Sequence, residues 1–301
     1  MHPFPPLPRN SRNLFRRHTV HPRFLFRTST IVQPQMQRLA TVSRIAGALL
    51  LLGPSMACAL ERYEGLAYGK RDGALVYRET HWLYDDHGKS ARLVVYRCPN
   101  GTPFARKRVW AAAPTSRAPD FEFIDARDGY REGVRSQGGR REVYWQDSSQ
   151  ATPRQRTIQM NTSSVVDAGF DALVRARWNA LASGQPVAAA FLLPSRLDFL
   201  DVSVRQRAAP PAPTTDPHES QVHLRMKLDA WYGFAAPQTD LDYLVRDRWL
   251  LRFQGLGTIR DAQGRHQEVR IEFPPKLLVR AANRAELESA LNIPLQRTCK
   301  S

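Results

Sequence analysis

The sequence predicts an α+β fold, mostly antiparallel β: a curved sheet or half-open barrel covered by one central amphipathic helix. Three observations carry that expectation. Apolar and polar residues alternate with period 2 through most of residues 62–146, the pattern of half-buried strands. Asp-Gly and Asn-Gly pairs punctuate the alternation, and those residues accept the positive φ of tight hairpins at low cost. One segment switches to helical spacing, with Phe170, Leu173, Val174, Trp178 and Leu181 on one side and Asp171, Arg175 and Asn179 on the other.

The elements follow in order. Residues 62–68 form a first strand, and Lys70-Arg71-Asp72-Gly73 turns it into a second at 74–84. Asp85-Asp86-His87-Gly88 leads to a third at 91–98, and Pro99-Asn100-Gly101 to a fourth at 103–110. After a Pro-rich loop, strands at 121–127, 130–135 and 140–146 complete a meander, with turns at Asp128-Gly129 and Gly138-Gly139. The helix starts at Asp167, a candidate N-cap, and ends at Ser183-Gly184. Its apolar stripe needs a partner, and the sheet is the only large one.

Strands resume at 187–193 and 197–205, around Pro194. Residues 208–217, with four Pro, read as a loop and as the only candidate domain boundary. Val222, Leu224, Met226 and Leu228 alternate with His223, Arg225 and Lys227, which gives one core face and one wet face. Trp249, Leu251 and Phe253 alternate with Leu250, Arg252 and Gln254. A turn at Asp261-Ala262-Gln263-Gly264 leads to Val269, Ile271 and Phe273. Asn283 followed by Glu286 marks a last short helix around 287–291.

Residues 36–59 read as a secretory signal peptide. A basic, acid-free start precedes the apolar run Ile45-Ala46-Gly47-Ala48-Leu49-Leu50-Leu51-Leu52, and Ala57-Cys58-Ala59 supplies a small-x-small cleavage pattern. The run is too short to span a bilayer. Cleavage after Ala59 leaves a single β-rich periplasmic domain, residues 60–301, with no transmembrane segment. Residues 1–35 hold six Pro and six Arg and read as an upstream extension unable to build a core. An Arg-rich transit peptide is the competing reading, but Pro3, Pro5, Pro6 and Pro8 oppose the helix it needs.

Residues 1–59 contain eight Arg and no acid. Without them, 36 basic residues face 28 acidic ones, and the net charge falls from +16 to +8. Half of the apparent basicity therefore lies outside the exported chain, which argues against a nucleic-acid partner. Two cysteines remain, Cys98 and Cys299, a candidate disulfide in an oxidising compartment.

The order of signal peptide, meander, helix and further strands resembles exported proteobacterial proteins of unknown function. Tyr63-Glu64-Gly65, Tyr77-Arg78-Glu79-Thr80-His81, Phe104-Ala105-Arg106-Lys107, Gly255-Leu256-Gly257 and Val269-Arg270-Ile271-Glu272 carry that resemblance. In architecture alone, the arrangement is similar to periplasmic lipoprotein carriers, in which a half-open barrel holds acyl chains. That likeness implies a groove for an apolar ligand and carries over no residue.

The chain has no Gly-x-Ser-x-Gly elbow, no His-Glu-x-x-His pair, no Cys-x-x-Cys and no phosphate loop. Gly255-x-Gly257 is followed by no helix. No cofactor or metal is expected. Glu79 and His81, two apart on one strand, share a face and are weak candidates for acid–base chemistry. Arg106 and Arg108 are weak candidates for an anionic headgroup, or else partners of Asp125 and Asp128. Trp82 and Trp110, with Trp145, Trp178, Trp231 and Trp249, are candidate pocket aromatics or core. The expectation is a periplasmic protein that binds or carries an apolar or lipid-like ligand, or docks an envelope protein. The alternatives are a hydrolase using Glu79 and His81, and a structural envelope protein without ligand.

Overall fold

The computed structural model describes residues 60–208, 220–229 and 238–299. The expected signal peptide, the upstream extension, Trp231 and all but the first residue of the 208–217 loop lie outside the described residues.

The described strands join one 15-stranded sheet. The meander is β1 (Glu61–Gly69), β2 (Leu75–Asp86), β3 (Lys89–Arg97), β4 (Pro103–Ala111), β5 (Asp120–Asp125), β6 (Tyr130–Gln137), β7 (Arg140–Gln146) and β8 (Arg154–Ile158). The turn residues act as their chemistry dictates. In the turn after Cys98, Gly101 takes φ +93 and donates its N–H back to the Cys98 carbonyl. The second half is β9 (Ser164–Val165), β10 (Val187–Leu193), β11 (Asp198–Gln206), β12 (Gln221–Leu228), β13 (Thr239–Leu244), β14 (Leu250–Arg260) and β15 (His266–Glu272). Sequence reading missed β8, β9 and β13. β8 has four of five residues exposed and β9 is only two residues long, so neither shows a clear alternation.

The strand order is β8-β7-β6-β5-β4-β3-β2-β1-β15-β14-β13-β12-β11-β10-β9. The chain starts mid-sheet, walks out to one edge at β8, crosses to the other edge at β9, and walks back until β15 pairs with β1. Every pairing is antiparallel except β9 with β10. Only residues 159–163 connect the two edge strands, which limits their separation to roughly 20 Å. The sheet must therefore curl. It stays open, because β8 and β9 do not pair. Side chains bridge the seam instead: Arg154 donates to the Ser195 carbonyl at 2.7 Å, and Arg156 meets Asp198 at 3.0 Å.

The predicted helix lies on the concave side. It forms two pieces, α1 (Gly169–Ala176) and α2 (Trp178–Ala182), broken where Arg177 leaves helical geometry. Leu173, Val174, Trp178 and Leu181 pack against Val187, Val202, Val204, Leu224, Leu241 and Tyr243 of the second half. Asp167 is not the N-cap. It holds φ +42, and its carboxylate turns to Lys107 instead.

The convex side is covered over β2–β4 by α3 (Arg284–Leu291), capped by Asn283, which accepts from the Ala285 N–H at 2.9 Å. Leu287 and Ala290 bury Trp82, Tyr84, Leu93 and Val95. Beyond α3 the chain returns to β3, and Cys98 and Cys299 form a disulfide with Cα atoms 5.7 Å apart. With one face of β2–β4 against α3 and the other facing inward, these strands are buried on both sides. That is why Glu79, Thr80 and His81 are all buried in succession.

Candidate functional site: the interior cavity

The curled sheet and the segment that leads into and opens α1 line a half-open cavity of ≈ 400 Å³. Most of its wall is apolar, with Phe121, Phe170, Phe191, Leu241, Phe253 and Ile271 among the lining residues. The charged groups come from β2–β4, β6 and the segment that leads into and opens α1, and Thr239, Thr258 and His266 add polar groups from β13, β14 and β15. Strand alternation puts them there. Glu79 and His81 of β2, Arg92 of β3, Lys107 of β4 and Glu132 of β6 all point inward, and Asp167 and Asp171 face them from the other half. His81, Val94, Lys107, Phe123 and Glu132 are successive cross-strand partners, so they form one row across the inner face.

The acids of this wall all have partners. Glu79 accepts from His81 Nε2 at 2.9 Å. Asp167 accepts from Lys107 Nζ at 2.5 Å, with the ammonium also over the rings of Phe121 and Phe123. Glu132 accepts from the Tyr130 hydroxyl at 2.7 Å, and Asp171 from Arg175 Nε at 2.8 Å. Gly65, opposite Glu79, gives the carboxylate its room: a Cβ there would lie 3.2 Å from Glu79 Oε2 and 2.6 Å from Phe273 Cε1.

Arg92 is the exception. Its guanidinium lines the cavity and makes no hydrogen bond or ion pair among the described residues. Tyr63, Asp171, Asp167 and Tyr96 are its electrostatic neighbours. Asp167 is held by Lys107. Asp171 is held by Arg175 through one oxygen, while its other, Oδ1, is buried without a hydrogen-bond partner among the described residues.

Burial holds the His81 imidazole below its ordinary value of 6.5, against the opposing pull of the Glu79 hydrogen bond. The ring stacks on Tyr63, with centroids 4.4 Å apart. Its Nδ1 is buried without a partner. Burial also pushes the Glu132 carboxyl up, while Lys107 and the Tyr130 hydroxyl pull it down. Glu79 and His81 thus form an oriented acid–base pair, as their spacing predicts, and the fold brings them to the cavity. No hydroxyl or thiol is bonded to His81 among the described residues, so the pair has a base and no adjacent nucleophile. The described residues contain no cluster of three or more metal-ligating side chains.

The other sequence candidates lie elsewhere. Arg106 and Arg108 project from the outer face of β4 and donate to the Leu291 carbonyl at the end of α3, at 2.7 and 2.9 Å. There they satisfy a helix-terminal acceptor. The acids considered as their partners are taken by others: Asp125 by Arg127, and Asp128 by Arg260. Trp82 lies under α3, and Trp110 Nε1 donates to Asp86 at 3.0 Å. None of these four residues lines the cavity. Sequence reading missed Lys107 as an inward-facing cation, and Arg92 altogether. The signal for Lys107 was present in the alternation that set it against Arg106 and Arg108. Arg92 had a weaker one, a charged residue in phase with Val94 and Tyr96.

The class defined here is an open, mostly antiparallel sheet curled around a largely apolar cavity with a few converging polar groups. No family model matches the chain, and no curated protein matches it. Among solved structures, it is similar to the crystal structure of a β-barrel-like protein of a domain of unknown function, DUF1849, from Brucella abortus. The identity is 9%, the TM-score 0.45, and the match covers 74% of this chain and 98% of that one. No helix among the described residues is long and apolar enough to cross a membrane.

Proposed function

We propose that the exported chain is a periplasmic binding protein that holds one small amphipathic molecule in the cavity inside its sheet. The observation that carries this reading is the cavity itself. A space of ≈ 400 Å³ with mostly apolar walls and a few converging polar groups matches the usual make-up of a small-molecule site. It has room for about a dozen non-hydrogen atoms, at the roughly 30 Å³ a water molecule occupies in the liquid. A ligand of that size gains a few kcal/mol from apolar burial before ordering costs, which suits exchangeable binding. Hydrolysis by Glu79 and His81 is less well supported, because no nucleophile is bonded to His81.

Native mass spectrometry of protein purified from the periplasm tests the reading. The expected result is a chain beginning at Leu60 that retains a small ligand or takes up an added alkyl amphiphile at one saturable site. An intact N-terminal arm overturns the export reading, and the absence of any saturable uptake overturns the binding reading.

A further inference from the structure

Among the described residues, the guanidinium of Arg92 is the cavity-lining cation that makes no hydrogen bond or ion pair. A guanidinium carries five N–H donors and cannot shed its proton. It is half-buried, and Tyr63, Asp171 and Asp167 favour its charged form, so it presents a standing positive charge to the cavity. Around it, Asp167 is held by Lys107, Asp171 by Arg175, Glu79 by His81 and Glu132 by Tyr130. The wall therefore offers one uncommitted cation beside a long apolar surface. We propose that Arg92 is the anion anchor of this cavity, and that its ligand is an alkyl carboxylate whose head meets the guanidinium while its chain lies along Phe121, Phe170, Phe191, Leu241 and Phe253. The inference rests on the reading of the cavity as a binding site.

The surroundings narrow the headgroup. A carboxylate takes the guanidinium fork bidentately and carries a single charge. A phosphate monoester brings up to two negative charges past Asp167 and Asp171, which border the same space, and like charges at that range oppose it. An alkylammonium meets Arg92 with the wrong sign. Decanoate is the probe chosen, since it has about as many non-hydrogen atoms as the cavity volume holds.

The experiment is calorimetric titration of the periplasm-purified protein with decanoate, 1-decanol and decylamine. The wild type is compared with Arg92→Gln and Arg92→Lys. In the wild type, decanoate is expected to bind about tenfold or more tightly than 1-decanol, the margin of a charge-assisted hydrogen-bond pair. Arg92→Gln should bring decanoate down to the 1-decanol level and leave 1-decanol unchanged. Arg92→Lys should recover part of the preference, keeping the charge but losing the fork. Equal wild-type affinities for decanoate and 1-decanol, or preference for decylamine, would overturn the anchor and leave the cavity reading standing. So would a matching loss of both ligands in Arg92→Gln. Failure of all three probes to bind would overturn the cavity reading, and the anchor with it.

Discussion

Two sets of charged side chains on opposite faces of this sheet use the same residue types to different ends. On the outer face of the second half, Asp242 accepts from His223 Nδ1 at 2.6 Å, Arg207 Nη2 at 2.7 Å and Arg252 Nε at 2.6 Å. Beside it, Asp240 takes both prongs of Arg225, at 2.6 and 2.7 Å. His223, Asp242 and Arg252 are direct cross-strand partners on β12, β13 and β14, so the ladder itself sets their geometry. On the inner face, among the described residues, Glu79, Glu132 and Asp167 have partners and Arg92 makes no hydrogen bond or ion pair. The outer cluster uses its charges to bind strands together. The inner one keeps a charge in reserve facing a cavity.

The largest effect is expected where the convex side is strapped by covalent chemistry. The Cys98–Cys299 bond closes a loop with a sequence separation of 201. Its loss through paired Cys98→Ser and Cys299→Ser substitutions should cost up to about 5 kcal/mol in the chain-entropy description. Urea unfolding without reductant measures this, and a peptide map of alkylated protein should show the two cysteines linked. Two free thiols there would mean that α3 and its tail are held by packing alone.

Asp242→Ala comes next. It leaves Arg207, Arg252 and His223 without their shared acceptor, and a loss of about 3 kcal/mol is expected, near the lower end for breaking a buried pair because Arg252 is partly exposed. Urea midpoints at neutral pH read it. Arg92→Gln provides the contrast, with a smaller loss expected, since no hydrogen bond or ion pair is broken there. Equal losses at the two positions would erase the distinction between the faces.

The smallest effect concerns pH. Folded His81 is held below 6.5 by burial, so the unfolded chain takes up the proton first. Stability should fall as pH drops below about 6.5, and level off below the lower folded value. His81→Gln should flatten that part of the profile. An unchanged slope in chemical denaturation at successive pH values would show that His81 is not held neutral by the fold.

Much of this was legible along the chain. Seven strands of the first half are where alternation and turn chemistry put them, because hairpins are local and their turn residues carry explicit φ requirements. The last helix and its Asn283 cap were legible for the same reason. The pairing of Glu79 with His81 follows from a spacing of two on one strand. The Trp249–Leu251–Phe253 alternation did not survive. A register irregularity between Asp242 and Tyr243 pairs Tyr243 with Leu250, so Leu250 and Phe253 both line the cavity. A bulge adds one residue to one strand and reverses the faces beyond it, and no composition signal announced this one.

The strand-rich class, a central amphipathic helical segment and Cys98 and Cys299 as candidates to pair were readable from the chain alone. These depend on periodicity, turn residues and counting, which are properties of short stretches. The tertiary structure decided which face is inside. β2–β4 are buried on both faces, one by α3 from the chain's far end and the other by the curl of the sheet, so polarity along those strands does not separate interior from exterior. It also decided the roles of neighbours: Arg106 and Arg108 hold the end of a helix nearly two hundred residues away, while Lys107 between them turns inward to Asp167. The solitude of Arg92 belongs to the same level. Whether a charge has a partner depends on which acids the fold brings near it and which other cations reach them first, and that is settled by long-range packing.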